Sequence, residues 1–230
     1  MDFATIQLIF EIIAFLFAIS IHESAHAWSA NRLGDSTARL LGRISLNPLR
    51  HIDPVGTVLF PLFGALSGLP ILGWAKPTPV NTGRLGHPRR DDVLVSAAGP
   101  ASNFLVALVA VGVLLVIRLA SAEGAAIIGV LSHFGGLPAG LSQKSLLIPV
   151  LLLFYRFLLV NVLLGVFNLI PIPPLDGSHI VAGALPDRLR YLYSEVGRFG
   201  FLLLFLLLWT NIPYLLFSPV LGLFHSLLRL

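Results

Sequence analysis

The chain contains no cysteine, which removes disulfides and thiolate metal ligands from consideration. Charge is scarce as well. Asp, Glu, Lys and Arg make up 11% of the 230 residues, less than half of the roughly 25% usual in a soluble domain. Together with 56% hydrophobic residues and a mean hydropathy of +0.89, this argues for an integral membrane protein without a large additional soluble domain. The formal charge of +4 does not imply nucleic-acid binding, because the basic residues sit in short loops beside apolar runs, where topology accounts for them. The first apolar run also lacks the features of a signal peptide. Asp2 stands where a basic n-region belongs, and no small-residue cleavage site closes the run. It is expected to remain as the first span.

Four stretches are long and apolar enough to cross a bilayer, which takes roughly 20 residues: Phe3–Trp28, Val93–Ile117, Leu146–Leu169 and Phe199–Ser218. The last is interrupted by Asn211 and Pro213, and Val220–Leu228 reads as a further short amphipathic piece. A fifth run, Val55–Leu72, carries Gly56, Pro61, Gly64, Gly68 and Pro70, a breaker density that suits a re-entrant or broken segment. Charge supports that reading. Arg32, Arg39, Arg43 and Arg50 precede this run, while Lys76, Arg84, Arg89 and Arg90 follow it. Both flanks are therefore cytoplasmic by the positive-inside rule. The segment Arg118–Ser145 carries only Arg118 and Lys144 and reads as an external loop. The expected fold is an all-α membrane bundle of about four spanning helices plus one broken segment, its N-terminus outside. It is read as a single domain over 1–230, with a core of 3–177 and C-terminal helices over 178–230.

His22-Glu23-Ser24-Ala25-His26 closes the first run. Histidines four residues apart on a helix share a face, so both imidazoles can hold one metal ion, and Glu23 between them is placed to act as general base. A third ligand is needed, and Asp176 is the best candidate. It follows Asn168-Leu-Ile-Pro-Ile-Pro-Pro-Leu, whose prolines must break the helix begun near Leu146. A carboxylate on broken backbone at membrane depth is costly unless something pairs with it, and zinc would. The topology agrees, because His22 and His26 end the first crossing and Asp176 ends the third, both at the cytoplasmic side. The competing reading of Asp176 is a helix N-cap before Gly177. Glu11, about three turns before His22, is expected to pair with Arg156 in the third crossing.

The combination of His-Glu-x-x-His with Asn-x-x-Pro-x-Pro-x-Leu-Asp-Gly resembles the site-2 protease family of intramembrane zinc metalloproteases. Gly73-Trp-Ala-Lys-Pro77 with Val80-Asn81, Asn47-Pro48 with His51-Ile-Asp53-Pro54, and Gly99-Pro-Ala-Ser-Asn103 extend the likeness to the compact bacterial members. The chain leaves no room for the PDZ domain or CBS pair of other members, so regulation through them is not expected. The resemblance implies one zinc ion per chain on His22, His26 and Asp176, with Glu23 as general base and a transmembrane segment of another membrane protein as substrate. It places the protein in a bacterial plasma membrane with its site toward the cytoplasm. It further implies that Asn103 assists the oxyanion or the substrate backbone, and that Gly73, Trp74, Lys76 and Pro77 belong to an edge strand or short β-hairpin near 73–81 that receives an extended substrate.

Each minor role has a plainer counterpart. Asn103 reads equally as an interhelical hydrogen bond, and 73–81 as a surface loop anchored by Trp74 and Lys76. His179, three residues past Asp176, is a weaker candidate to face the metal, and His51, His87, His133 and His225 read as loop or interfacial residues. The alternative function is a metal-binding membrane protein without peptidase activity, either a pseudo-protease or a metal permease. A permease needs ligands spaced along a path across the bilayer, whereas here they cluster at one face.

Overall fold

In the structure, a computed structural model, residues 3–59, 74–134 and 145–229 are described. Regular secondary structure among them is entirely helical. Nine α-helices follow one another among the described residues: α1 Phe3–Arg32, α2 Thr37–Leu40, α3 Pro88–Ala120, α4 Ala122–Phe134, α5 Leu147–Asn168, α6 Asp176–Ala184, α7 Asp187–Gly197, α8 Gly200–Leu208 and α9 Ile212–Arg229. Four of them (α1, α3, α5 and α9) are long and apolar enough to cross a membrane, and α7 with α8 forms a pair bent by 68°. The chain is an all-α polytopic membrane protein.

Helix α1 contains neither Gly nor Pro over 30 residues, so nothing interrupts it before the histidine motif. It ends where Gly34 takes φ +115° and the Asp35 N–H donates to Ala30 O at 2.9 Å, a left-handed stop that only glycine adopts cheaply. Helix α5 ends at Asn168, ahead of Pro171, Pro173 and Pro174, as the proline run requires.

Three expectations need correction. The fourth span is not Phe199–Ser218. The chain turns at Trp209–Asn211, and Pro213 sits in the first turn of α9, where a missing N–H costs nothing. The piece at Val220–Leu228 is the second half of that same helix. The loop at Arg118–Ser145 holds α4, whose 13 residues rise about 20 Å, too short to cross alone. No strand or hairpin forms over 74–81. These residues are extended but lack a ladder partner, because their inward amides bond to Gly56 O, His51 O and the Glu23 side chain. Residues 60–73, which hold most of the broken run and Gly73, lie outside the described residues.

The chain groups into two compact units. One comprises Met1–Ala18, Asn103–Asn168 and Leu202–Leu230, the other Ile19–Ser102 and Leu169–Phe201. The first packs α3, α4, α5 and α9 around Leu114, Leu131, Leu151, Leu152 and Leu158, all fully buried. Within it Arg156 Nη1 lies 4.0 Å from Glu11 Oε2 and Nη2 donates to Gln7 Oε1 at 3.4 Å, the pairing expected of an intramembrane charge.

Candidate active site

The second unit carries the site. His22 and His26, one turn apart on α1, bring their Nε2 atoms to 3.0 Å. Asp176, the first residue of α6, places Oδ2 3.1 Å from His22 Nε2 and Oδ1 3.4 Å from His26 Nε2. The position before it, Leu175, is the N-cap and makes no side-chain capping bond, so the capping alternative for Asp176 is not realised. Close approach fixes the arrangement. A Cβ on Gly177 would collide with the carbonyl of Leu169, so only glycine lets the start of α6 seat against the broken backbone.

The donor set suits a metal. His26 Nδ1 lies 2.7 Å from Val95 O. A carbonyl only accepts, so Nδ1 carries a proton, and in the neutral imidazole, the form that binds a metal, Nε2 then presents a lone pair. That lone pair meets a second imidazole nitrogen at 3.0 Å and a buried carboxylate at 3.4 Å. Acceptors converging in a dry site repel one another unless a cation joins them. His22, His26 and Asp176 offer three ligand atoms within 4.8 Å of one another, the only such group among the described residues. Two imidazoles and one carboxylate match the three-ligand pattern of catalytic zinc. Gly99 of α3 completes the cradle, since a Cβ there would strike His26 Nε2 and come within 2.6 Å of His22 Cε1.

Glu23, on the same turn of α1, is held by Thr78. Its Oε2 accepts from Thr78 N at 2.9 Å and from Thr78 Oγ1 at 2.7 Å.

The model of Peptidase family M50 matches residues 10–209. The chain belongs to peptidase family M50. This bears out the likeness drawn from the two motifs to the site-2 proteases. A Bacillus subtilis protein named "Putative zinc metalloprotease YwhC" is 33% identical over 211 residues, covering 92% of this chain and 85% of its own. A Mycolicibacterium smegmatis protein named "Putative zinc metalloprotease Rip2" is 28% identical over 86% of this chain and 66% of its own. A Mycobacterium tuberculosis protein of the same name is 36% identical over 42% of this chain and 36% of its own. No solved structure matches.

In this M50 chain the remaining site candidates divide. Asn103 is fully buried, and its Nδ2 donates to Asn161 Oδ1 at 2.8 Å and approaches Ala18 O at 3.4 Å, the interhelical bond of the plainer reading. Trp74, Lys76 and Pro77 lie on the extended segment beside Glu23. The Trp74 ring meets Phe201 at 6.3 Å between centroids, while the Lys76 and Pro77 side chains are exposed. His179 stands outside the ligand cluster. Its Nδ1 bonds Asp92 Oδ2 at 3.1 Å, and that bond raises its pKa above the ordinary value against the opposing effect of burial.

His51 lies in a turn, as a loop residue should, but it is fully buried and not interfacial. Its Nε2 donates to Ser45 O at 2.7 Å, and burial holds its pKa below the ordinary value. Arg43 bonds Arg50 O and Lys76 O, fastening the loop that follows the histidine helix to the extended segment. His225 bonds Tyr155 Oη at 3.1 Å. Sequence reasoning missed Thr78. Its one local signal is a lone donor residue between Pro77 and Pro79.

Proposed function

We propose that this chain is an intramembrane zinc endopeptidase that hydrolyses peptide bonds within or near a transmembrane segment of another membrane protein. The observation that carries the reading is the meeting of His22, His26 and Asp176, from helices far apart in sequence, beside Glu23. One zinc ion per chain would be held by those three side chains. Bound there, zinc supplies Lewis-acid polarisation of the scissile carbonyl and activation of water at neutral pH. Glu23 takes the proton from the attacking water and delivers it to the leaving amine. The His26 Nδ1–H bond to Val95 O keeps the imidazole turned toward the cluster. The segment with Trp74, Lys76 and Pro77 is the natural ledge for an unwound substrate strand, since the amides of its alternate residues 74, 76 and 78 are all bonded to the protein, the periodicity of an extended chain. Asn103 would support the reaction by holding α3 rather than by touching the oxyanion, since its amide is engaged by Asn161. The protein would sit in a bacterial plasma membrane with its site toward the cytoplasm, a reading supported by the bacterial source of the M50 relatives and by the basic residues flanking the site.

The test compares cleavage of single-span model substrates by wild type and Glu23→Gln in detergent at matched zinc content. The expected result is a loss of at least about 100-fold in the variant with zinc retained. Zinc retained by both with no cleavage by either would favour a pseudo-protease. Equal cleavage would remove Glu23 from the mechanism.

A further inference from the structure

We infer that Thr78 is a positioning residue for the general base, fixing the Glu23 carboxylate through two donors and making the 74–81 segment part of the catalytic apparatus. The inference rests on the assignment of Glu23 as base. The segment is extended, and alternate residues turn their backbone N–H groups to the same side. Trp74 N–H donates to Gly56 O at 3.1 Å, Lys76 N–H to His51 O at 2.8 Å, and Thr78 N–H to Glu23 Oε2 at 2.9 Å. The first two bonds seat the strand on main chain. The third lands on a side chain 55 residues away, the one the mechanism requires.

Sequence pre-sets this donor. Pro77 and Pro79 flank Thr78, and a residue before proline is confined to extended backbone. The Thr78 amide is therefore aimed before Glu23 arrives. The hydroxyl has one proton and two acceptors in reach, Glu23 Oε2 at 2.7 Å and Glu23 O at 3.1 Å. The shorter contact, to the ionised oxygen, is the charge-assisted and stronger one. Two donors on a single oxygen set both the plane and the rotamer of the carboxylate. Without the hydroxyl the side chain samples other rotamers, and a smaller fraction of molecules holds the base in reactive geometry. Substrate affinity does not depend on that fraction, so turnover and not KM carries the effect.

The same prolines give a clean measurement. Thr78 supplies the only backbone amide hydrogen of Pro77-Thr78-Pro79, so the difference in exchange between two overlapping peptides that differ by this triplet reports it alone. In wild type this amide should exchange slowly, and Glu23→Ala should speed it by at least about tenfold, while Glu23→Gln, which keeps a carbonyl acceptor, leaves it protected. Equal exchange in Glu23→Ala and wild type would overturn the inference without any substrate. In cleavage assays at matched zinc content, Thr78→Val should lower kcat roughly tenfold with KM within about twofold, and Thr78→Ser should recover most of the loss. An unchanged kcat, or a rise in KM alone, would reduce Thr78 to a substrate or loop contact and overturn its positioning role. If wild type cleaves nothing while Glu23→Ala still frees the Thr78 amide, the contact stands. The peptidase reading then falls and takes the base-positioning role with it.

Discussion

The two compact units of this M50 chain are held together by different means. Among the described residues of the unit of Met1–Ala18, Asn103–Asn168 and Leu202–Leu230, fifteen buried apolar residues form one cluster, so its helices are held mainly by close packing, with the buried Asn103–Asn161 bond beside it. Among the described residues of the unit of Ile19–Ser102 and Leu169–Phe201, the buried apolar cluster is Ala30, Leu85 and Val95. There the chain is secured by polar side chains instead: Ser24, Asp35, Arg43 and His51 are buried and bonded to backbone or to one another. Packing tolerates change at sites with spare room, because many small contacts share the load. A hydrogen bond is all or nothing, and a lost partner leaves a desolvated group behind. The chemistry sits in the second unit, where single atoms decide geometry, and the first unit contributes helices whose fit is collective.

Helix α3 contributes to both units and offers the sharpest way to break this contrast, using one substitution at two of its positions. Gly99→Ala puts a methyl group against the His22 and His26 rings. It should weaken zinc binding by about 10- to 100-fold, as displacement of ligand orientation does elsewhere, and abolish cleavage. Gly112→Ala adds a methyl group with nothing within 4 Å. It should leave zinc content and cleavage unchanged and stabilise the helix by up to about 1 kcal/mol. Zinc content after dialysis, read beside thermal unfolding in detergent, checks both. Similar behaviour of the two variants would mean that Gly99 does not cradle the histidines.

What could be read from the sequence follows the same division. His22 and His26 were legible because helical spacing alone puts them on one face, and Asp176 because three prolines must break a membrane helix just before it. The apolar spans were legible from length, except at the end of the chain. There the hydropathy of Phe199–Ser218 runs on through a turn, and only Asn211 and Pro213 marked the break into α8 and α9. Helix α4 was not legible, since 13 residues are too few to read as a span, and its burial of Ile127, Ile128 and Leu131 depends on partners distant in sequence. Thr78 and Asp35 were invisible for a related reason. Each acts through long-range bonds, from Thr78 N and Oγ1 to Glu23 and from Asn81 N to Asp35, and no local period encodes such bonds.

A probe of the apolar unit should have the opposite signature to Gly99→Ala. Leu151 is fully buried among α4, α5 and α9. Leu151→Ala should cost about 2 kcal/mol of stability, the low end for a cavity, since in a bilayer the unfolded helix still sits in hydrocarbon. Zinc content per folded molecule should not change. A loss of zinc at temperatures where the variant remains folded would contradict the separation of roles.

Asp35 tests the polar unit with the smallest effect and the clearest sign. Its Oδ1 accepts from Thr37 N at 3.0 Å and Thr37 Oγ1 at 2.5 Å, while Oδ2 accepts from Asn81 N at 2.7 Å. The residue thus ties the end of the histidine helix to the end of the extended segment. Burial alone would raise its pKa, but the donors of Thr37 and Asn81 and the nearby charge of Arg84 outweigh it and hold the carboxyl below the ordinary value. A group whose pKa is lowered by folding stabilises the folded state above its unfolded value, and that contribution is lost as pH falls through the folded one. Asp35→Asn turns a donor toward the Asn81 N–H and should cost about 1.5 kcal/mol near neutral pH. The difference in melting temperature between wild type and Asp35→Asn should then shrink below about pH 4, as the wild-type carboxyl takes up its proton. Acid strips zinc from both proteins alike, so the difference between them isolates Asp35. A gap that stays constant from neutral pH down to pH of about 3 would show that the carboxylate charge contributes nothing and that the tie is one of shape alone.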